Sequence, residues 1–206
     1  MMQAELTTMS VAEAAESRRS IRKFTDEPIP DADLTELLRL VGRAPSAWNI
    51  QPWRFVVVRD DAVKARLRDA AYGQAQVTSA PAVIVLYSDM RDALATIDEA
   101  IHPDVQGEQR EAQKQGVHRA FVARTDAERE AWGVQQGGIA LGYLMLLARN
   151  FGLDTSPMLG FDAARVKEIL EIPSTTSIVA MVPIGYAAEE GFRSHRHSID
   201  RTTRFI

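Results

Sequence analysis

The segment from Thr125 to Gly152 limits the possible folds of this chain more than any other. Thr125-Asp126-Ala127-Glu128 is a capping box, in which a threonine hydroxyl and a glutamate three residues later satisfy each other's free amides. It predicts a long helix to Phe151, closed by Gly152 as a C-terminal cap. The second half of that helix is apolar almost all round, so it is expected to run through the core. Its longest apolar stretch, Ile139 to Ala148, is far shorter than the roughly 20 residues that cross a membrane. Gly137, Gly138 and Gly142 lie inside it, each costing up to about 1 kcal/mol relative to alanine. Close packing against another helix or a bound group is the expected reason.

The other elements arrange themselves around this helix. Ser10-Val11-Ala12-Glu13 is a second capping box and starts a helix ending near Ser17. Pro28 and Pro30 interrupt the chain, and Asp31 then caps a helix carrying Leu34, Leu37, Leu38 and Val41, with Gly42 at its end. Arg54 to Arg59 reads as a strand. Asp60 or Asp61 starts a helix to about Ala71. Ala82 to Tyr87 is an unbroken apolar run, the pattern of a strand buried on both faces. Residues 89–125 are polar and helix-prone and read as a surface excursion, with 100–116 as its mobile part. Asp162 caps a helix carrying Val166, Ile169 and Leu170, and Thr176 to Tyr186 reads as a second buried strand. The tail from Gly191 to Ile206 is basic and has no core pattern. Few strands, many helices and long connections indicate an α+β fold in one domain spanning residues 1–206.

Composition narrows the functional classes. With 206 residues, 46% of them apolar, the chain can bury a real core. Its net charge of -4 argues against a general nucleic-acid surface. It has no cysteine, which excludes disulfides, thiolate metal sites and a cysteine nucleophile and fits a reducing cytoplasm. No basic, apolar leader is visible at the N-terminus, so the expected location is cytoplasmic. The four histidines form no metal signature. Neither a dinucleotide-binding glycine motif, a P-loop nor a serine-hydrolase elbow is present.

Three constellations carry chemistry, and each has two readings. Arg18, Arg19, Ser20 and Arg22 can cradle a phosphate through paired guanidinium bonds and a hydroxyl, or form a solvated helix end. In Pro45-Ser46-Ala47-Trp48-Asn49-Ile50-Gln51-Pro52-Trp53, the amides Asn49 and Gln51 can meet the mixed edge of a heteroaromatic ring shielded by Trp48 and Trp53. They can equally satisfy their own loop. Pro157-Met158-Leu159-Gly160 can turn backbone N–H groups toward a ligand, or simply turn the chain.

In their order and spacing, these blocks resemble the flavin mononucleotide (FMN)-dependent nitroreductase family from Val11 to Arg201. The match rests on Arg18-Arg19-Ser20-Ile21-Arg22, Ala44 to Trp53, Gly152-Leu153-Asp154-Thr155-Ser156-Pro157, Gly160-Phe161-Asp162 and Arg196. The resemblance implies a nitroreductase-like fold with a central mixed sheet, in an interlocked homodimer with exchanged C-terminal tails. It implies FMN as cofactor and NAD(P)H as co-substrate. Arg18, Ser20, Arg22 and Arg196 would hold the phosphate and ribityl chain, with Arg19 beside the pyrimidine. Pro45, Ser46, Asn49 and Gln51 would reach the flavin from the partner subunit. Pro157, Met158, Leu159 and Gly160 would present N–H groups to the reactive ring nitrogen. Leu159 stands where many members have glutamate, and Gln74 stands where many have asparagine. The excursion 89–125 would cover the pocket, with His118 and Phe121 as lid residues.

The activity so implied passes hydride from NAD(P)H to flavin, then two electrons to a nitroaromatic or quinone by a ping-pong mechanism. No side chain need act as acid or base. Alternatives are a specialised oxidation or dehalogenation, or a non-catalytic flavin-binding protein. A nucleic-acid binder using the arginine tail is disfavoured by the acidic net charge. No nucleic-acid or membrane partner is expected.

Overall fold

The computed structural model describes residues 9–206, which fold as an α+β structure. The helices are α1 (Val11–Ser17), α2 (Asp31–Val41), α3 (Asp61–Ala70), α4 (Gln76–Ser79), α5 (Met90–Ala95), α6 (Ile97–Ala100), α7 (Gly107–Phe121), α8 (Asp126–Asn150), α9 (Ala163–Ile169) and α10 (Ile199–Thr202). The strands are β1 (Trp53–Val58), β2 (Ala82–Ser88), β3 (Asp154–Thr155) and β4 (Ser177–Gly185), in the spatial order β1-β2-β4-β3. Every strand pair is antiparallel. The expected mixed character is confined to one parallel bridge, between Ser20 and Thr155.

Alternation along β2 explains why both sheet faces are covered. Ala82, Ile84 and Leu86 join a core with α2 and α8, whereas Val83 and Val85 join a second core with α3 and α9. Both capping boxes form as expected. At the far end of α8, the Leu153 and Gly152 amides donate to Ala148 and Arg149 carbonyls, and Gly152 adopts φ +68°. This is the doubly bonded glycine termination expected of the sequence. Pro30, not Asp31, occupies the N-cap of α2; the Asp31 carboxylate pairs with Arg59 instead.

Two expectations need correction. The segment 89–125, expected as a polar surface excursion, has a core of its own. Met90, Ala93, Leu94, Ile97, Val117 and Phe121 form a small core with Ile50, and most of the part read as mobile lies in α7. Helix periodicity hid this core, because its apolar residues are spread over three separate helices, α5, α6 and α7. Helix α8 is not buried all round either. Its buried stripe runs through Gly133, Gly137, Ala140, Leu144 and Ala148, while Ile139 and Tyr143 stay exposed. Glycine explains the close approach on the buried side. A Cβ on Gly133 would lie 2.1 Å from Ser88 Oγ, and one on Gly137 would lie 2.5 Å from Val179 Cγ2. Gly138 and Gly142 meet nothing within 4 Å in this chain.

Candidate functional site

The residues singled out in the sequence fall into two groups. The first gathers at the β3 edge of the sheet. The Ile21 amide donates to the Thr155 carbonyl at 3.2 Å, which fixes Arg18 to Arg22 beside β3. Arg19 turns back onto the Glu16 and Arg18 carbonyls. The Arg22 amide donates to Glu189 Oε1 at 2.7 Å, leaving its exposed guanidinium free of any protein partner among the described residues. Arg18 is half-buried, as are Arg19 and Ser20, and its Nη1 is buried with no partner among the described residues. Burial lowers the Arg18 pKa, and repulsion from Arg196 and Arg19 adds to that, against the pull of Asp154. An unpaired guanidinium nitrogen costs about 1–3 kcal/mol, which an anionic oxygen would offset.

Asp154 supports this group from beneath. It accepts from Arg149 Nη1 at 2.6 Å, with both side chains largely buried. Burial nevertheless raises its pKa, outweighing the neighbouring Arg149 and Arg18. The Arg149–Asp154 pair spans the glycine cap of α8, so the site is tied to the end of the central helix.

The turn Pro157 to Gly160 leaves the same sheet edge. Met158 and Met181 exchange both backbone hydrogen bonds, at 2.9 and 3.1 Å. Phe161 N–H returns to the Leu159 carbonyl at 3.2 Å, and Asp162 N–H reaches the Ala70 carbonyl at 2.8 Å. The N–H groups of Leu159 and Gly160 find no acceptor among the described residues. Leu159 is 75% exposed, so its side chain is free of the core. Gln74 sits against this turn, and its Nε2 donates to the Gly160 carbonyl at 2.7 Å.

The second group is the loop between α2 and β1. Trp48, Asn49 and Gln51 all have positive φ, at 53°, 56° and 49°. Such backbone is costly for residues other than glycine and is held by its surroundings. Ser46 Oγ accepts from the Gln51 amide at 3.0 Å, and the Ala47 amide donates to Gln136 Oε1 at 3.0 Å. Asn49 Nδ2 donates to the Ala100 carbonyl at 2.7 Å, and Gln51 Nε2 donates to Asn49 Oδ1 at 3.0 Å. Pro45 is exposed beside them. Trp48 packs near Phe121 and Trp132, at centroid separations of 5.9 and 6.0 Å. A pocket of about 630 Å³ opens between this loop and the α6–α7 region, lined by Trp48, Asn49, Ile101, Val105 and Val117.

Three expectations change here. Trp53 lies in the main core and shields no ring. Phe121 is 1% exposed and forms part of the excursion's own core, with its ring against Trp48, and it lines a hollow shared with His118 rather than the one beside Trp48. His118 is exposed and lines that same hollow, with Leu94, Val122 and Arg129. Gln76, Asp154, Gln136 and the Ala100 carbonyl were not anticipated. Each supports a singled-out residue, and only Asp154, within the block Gly152 to Pro157, belongs to a local pattern.

No hydrogen bond or ion pair among the described residues joins the two groups. The sequence model of the nitroreductase family matches residues 15–186. The chain belongs to that family. It is 54% identical over 200 residues to a Thermus thermophilus protein named NADH dehydrogenase, covering 97% of this chain and 98% of the relative. A Bacillus subtilis protein named for NAD(P)H nitroreductase is 33% identical, with 85% and 88% covered. An Exiguobacterium sibiricum nitroreductase crystallised in complex with FMN superposes with a TM-score of 0.87 at 27% identity, covering 97% and 99%. Among the described residues, no helix is long and apolar enough to cross a membrane.

Proposed function

We propose that this chain is an FMN-dependent oxidoreductase acting as a homodimer. The observation that carries the reading is the buried, unpartnered Arg18 Nη1 beside Arg196, a cationic position suited to a phosphate. The FMN complex of the Exiguobacterium protein supports the cofactor, and the name of the Thermus relative supports NADH as donor. The chemistry supplied by bound FMN is acceptance of hydride from NADH, then delivery of two electrons to a nitroaromatic or quinone, with protons drawn from water.

The protein's own contribution is to bind and orient. Arg18, Arg22 and Arg196 hold the phosphate, and the Ser20 hydroxyl adds a contact along the ribityl chain. Arg19 lies beside the pyrimidine. The free N–H groups of Leu159 and Gly160 offer fixed donors to the ring, where they favour negative charge. Leucine at position 159 does not weaken this, because the donors are backbone. One pocket serves donor and acceptor in turn, giving ping-pong kinetics. The hollow beside Trp48 supplies its apolar wall, under the excursion 89–125.

A second copy completes the site by presenting Pro45, Ser46, Asn49 and Gln51. The open side of α8 supports this pairing. Gly138 and Gly142 leave space for close approach, and Ile139, Tyr143, Leu146 and Val11 offer an apolar surface. Phe192, Ile199, Phe205 and Ile206 are all exposed along the tail, as expected of a segment that covers a partner.

The test is an absorbance spectrum of the purified protein, repeated without oxygen after adding NADH. The expected result is a flavin spectrum that bleaches and returns with a quinone or nitroaromatic. A flavin that neither NADH nor NADPH bleaches favours a binding protein. No binding after reconstitution with FMN overturns the assignment.

A further inference from the structure

Gln74 is expected to touch the flavin, and one N–H and one oxygen lone pair of its amide are also used inside the protein. Nε2 donates to the Gly160 carbonyl at 2.7 Å, and Oε1 accepts from Gln76 Nε2 at 2.9 Å. Gln76 is 8% exposed and lies against Met158 Sδ at 3.7 Å. Tyr72 and Gly73, at φ 56° and 77°, turn the chain so that Gln74 faces the 157–160 turn. Arg68 Nε holds the Gly73 carbonyl at 3.1 Å.

The direction of the Gln74 amide matters, because an amide has a donor end and an acceptor end. Gln76 offers an N–H to Gln74, so the Gln74 oxygen must face it. That leaves Nε2 for Gly160. A flipped amide would set two oxygens against each other at Gly160 and two N–H groups against each other at Gln76.

Glycine is the residue whose peptide planes rotate most freely, and here both flanking planes are held. The Leu159 carbonyl accepts from Phe161 N–H, and the Gly160 carbonyl accepts from Gln74. In a trans peptide the N–H points opposite to the C=O. Drawing the Leu159 oxygen toward Phe161 therefore turns the Gly160 N–H the other way. A methyl added at Gly160 would come within 3.3 Å of Gln74 Nε2.

We propose that Gln76 and Gln74 form a two-amide relay that fixes the Gly160 backbone and so aims the ring-facing Gly160 N–H. Both are positioning residues that act through the turn. This inference rests on the FMN reading above. Donors held in place favour charge on the ring, so loosening them makes bound FMN harder to reduce.

The test compares wild type with Gln74→Met and Gln76→Met, both neutral and similar in length. The midpoint potential of bound FMN is measured alongside FMN affinity. Gln74→Met is expected to shift the reduction equilibrium about tenfold, near 30 mV for a two-electron couple. Gln76→Met is expected to shift it about threefold in the same direction. Affinity should change less than threefold, because the arginines are untouched. In the FMN-free protein, the amide resonances of Gly160 and Phe161 should move in both variants. A potential altered by Gln74→Met but not by Gln76→Met would mean direct contact and overturn the relay. Unchanged potentials in both would also overturn it, with the cofactor assignment intact. A wild type that binds no FMN overturns the functional reading itself. Should Gln74→Met fold poorly, Gln76→Met alone decides between relay and direct contact.

Discussion

The two halves of the proposed site are fastened in opposite ways. On the arginine side, backbone pairing does the holding. Ile21 pairs with Thr155 and Met158 with Met181, and among the described residues Arg18 Nη1, the Arg22 guanidinium and the Leu159 and Gly160 N–H groups are left unspent, whereas Arg19 is turned onto the Glu16 and Arg18 carbonyls. On the loop side, side chains do the holding. Asn49 is committed to Ala100, Gln51 to Asn49, and the backbone is strained at Trp48, Asn49 and Gln51. The first half is preorganised and loses little on binding. The second must exchange existing hydrogen bonds for new ones, so its net contribution is smaller.

The largest expected effect tests the preorganised half. Arg18→Ala should weaken FMN binding about 100-fold, or about 2.7 kcal/mol, measured by flavin fluorescence titration. A change under threefold would move the phosphate elsewhere. Gly142→Leu comes next. It meets no neighbour within the chain, so folding should be preserved while self-association weakens roughly 30-fold, on the order of 2 kcal/mol of lost close packing. Light scattering reads the mass, and the FMN affinity left in the separated chain reports the arginine side alone. Asn49→Ala should then cost about tenfold in FMN affinity, the mark of a contact that replaces another. A loss as large as that of Arg18→Ala would make the two halves equivalent.

The smallest effect concerns the foundation of the loop side. Glu130 is 5% exposed and accepts the Met90 amide at 2.7 Å, anchoring the start of α5 to α8. Its other oxygen is buried without a partner. Burial holds its carboxyl above the usual carboxylate range, despite that hydrogen bond. The folded state therefore keeps this proton more tightly than the unfolded state. Stability is highest below the ordinary carboxylate value and declines as pH rises through the raised one. Glu130→Gln should remove that decline, adding about 1 kcal/mol near neutral pH and flattening Tm against pH. A lower Tm at every pH would show that the charge itself is needed.

How legible each half was in the sequence follows from how it is held. On the arginine side, Arg18 to Arg22 stand out as consecutive residues between the Ser10 capping box and the Pro28 break, while Arg196 and the 157–160 turn are joined to them only by the family resemblance. Most helix ends with a capping residue were readable, since capping is local chemistry, although Asp31 pairs with Arg59 instead of capping α2. The core of 89–125 was not readable. Met90, Ile97 and Phe121 lie on three different helices and meet only in space. The partners of the loop were equally hidden, because Gln136 and the Ala100 carbonyl carry no mark of their role in sequence. Glu130 was overlooked because a glutamate near a helix N-terminus reads as solvent-facing, and only its packing under Met90 shows otherwise.

Helix α8 is thin on two sides. Gly133 and Gly137 let it settle against the sheet, and Gly138 and Gly142 leave its outer side low. In the proposed dimer it becomes a spacer whose thickness sets how far each sheet stands from the other copy. A methyl added on the hidden row would lift the helix outward, and the displacement would arrive at the far surface as a change in fit. Substitutions at Gly133 or Gly137 should therefore alter the distance between the two sites before they touch the chemistry of either.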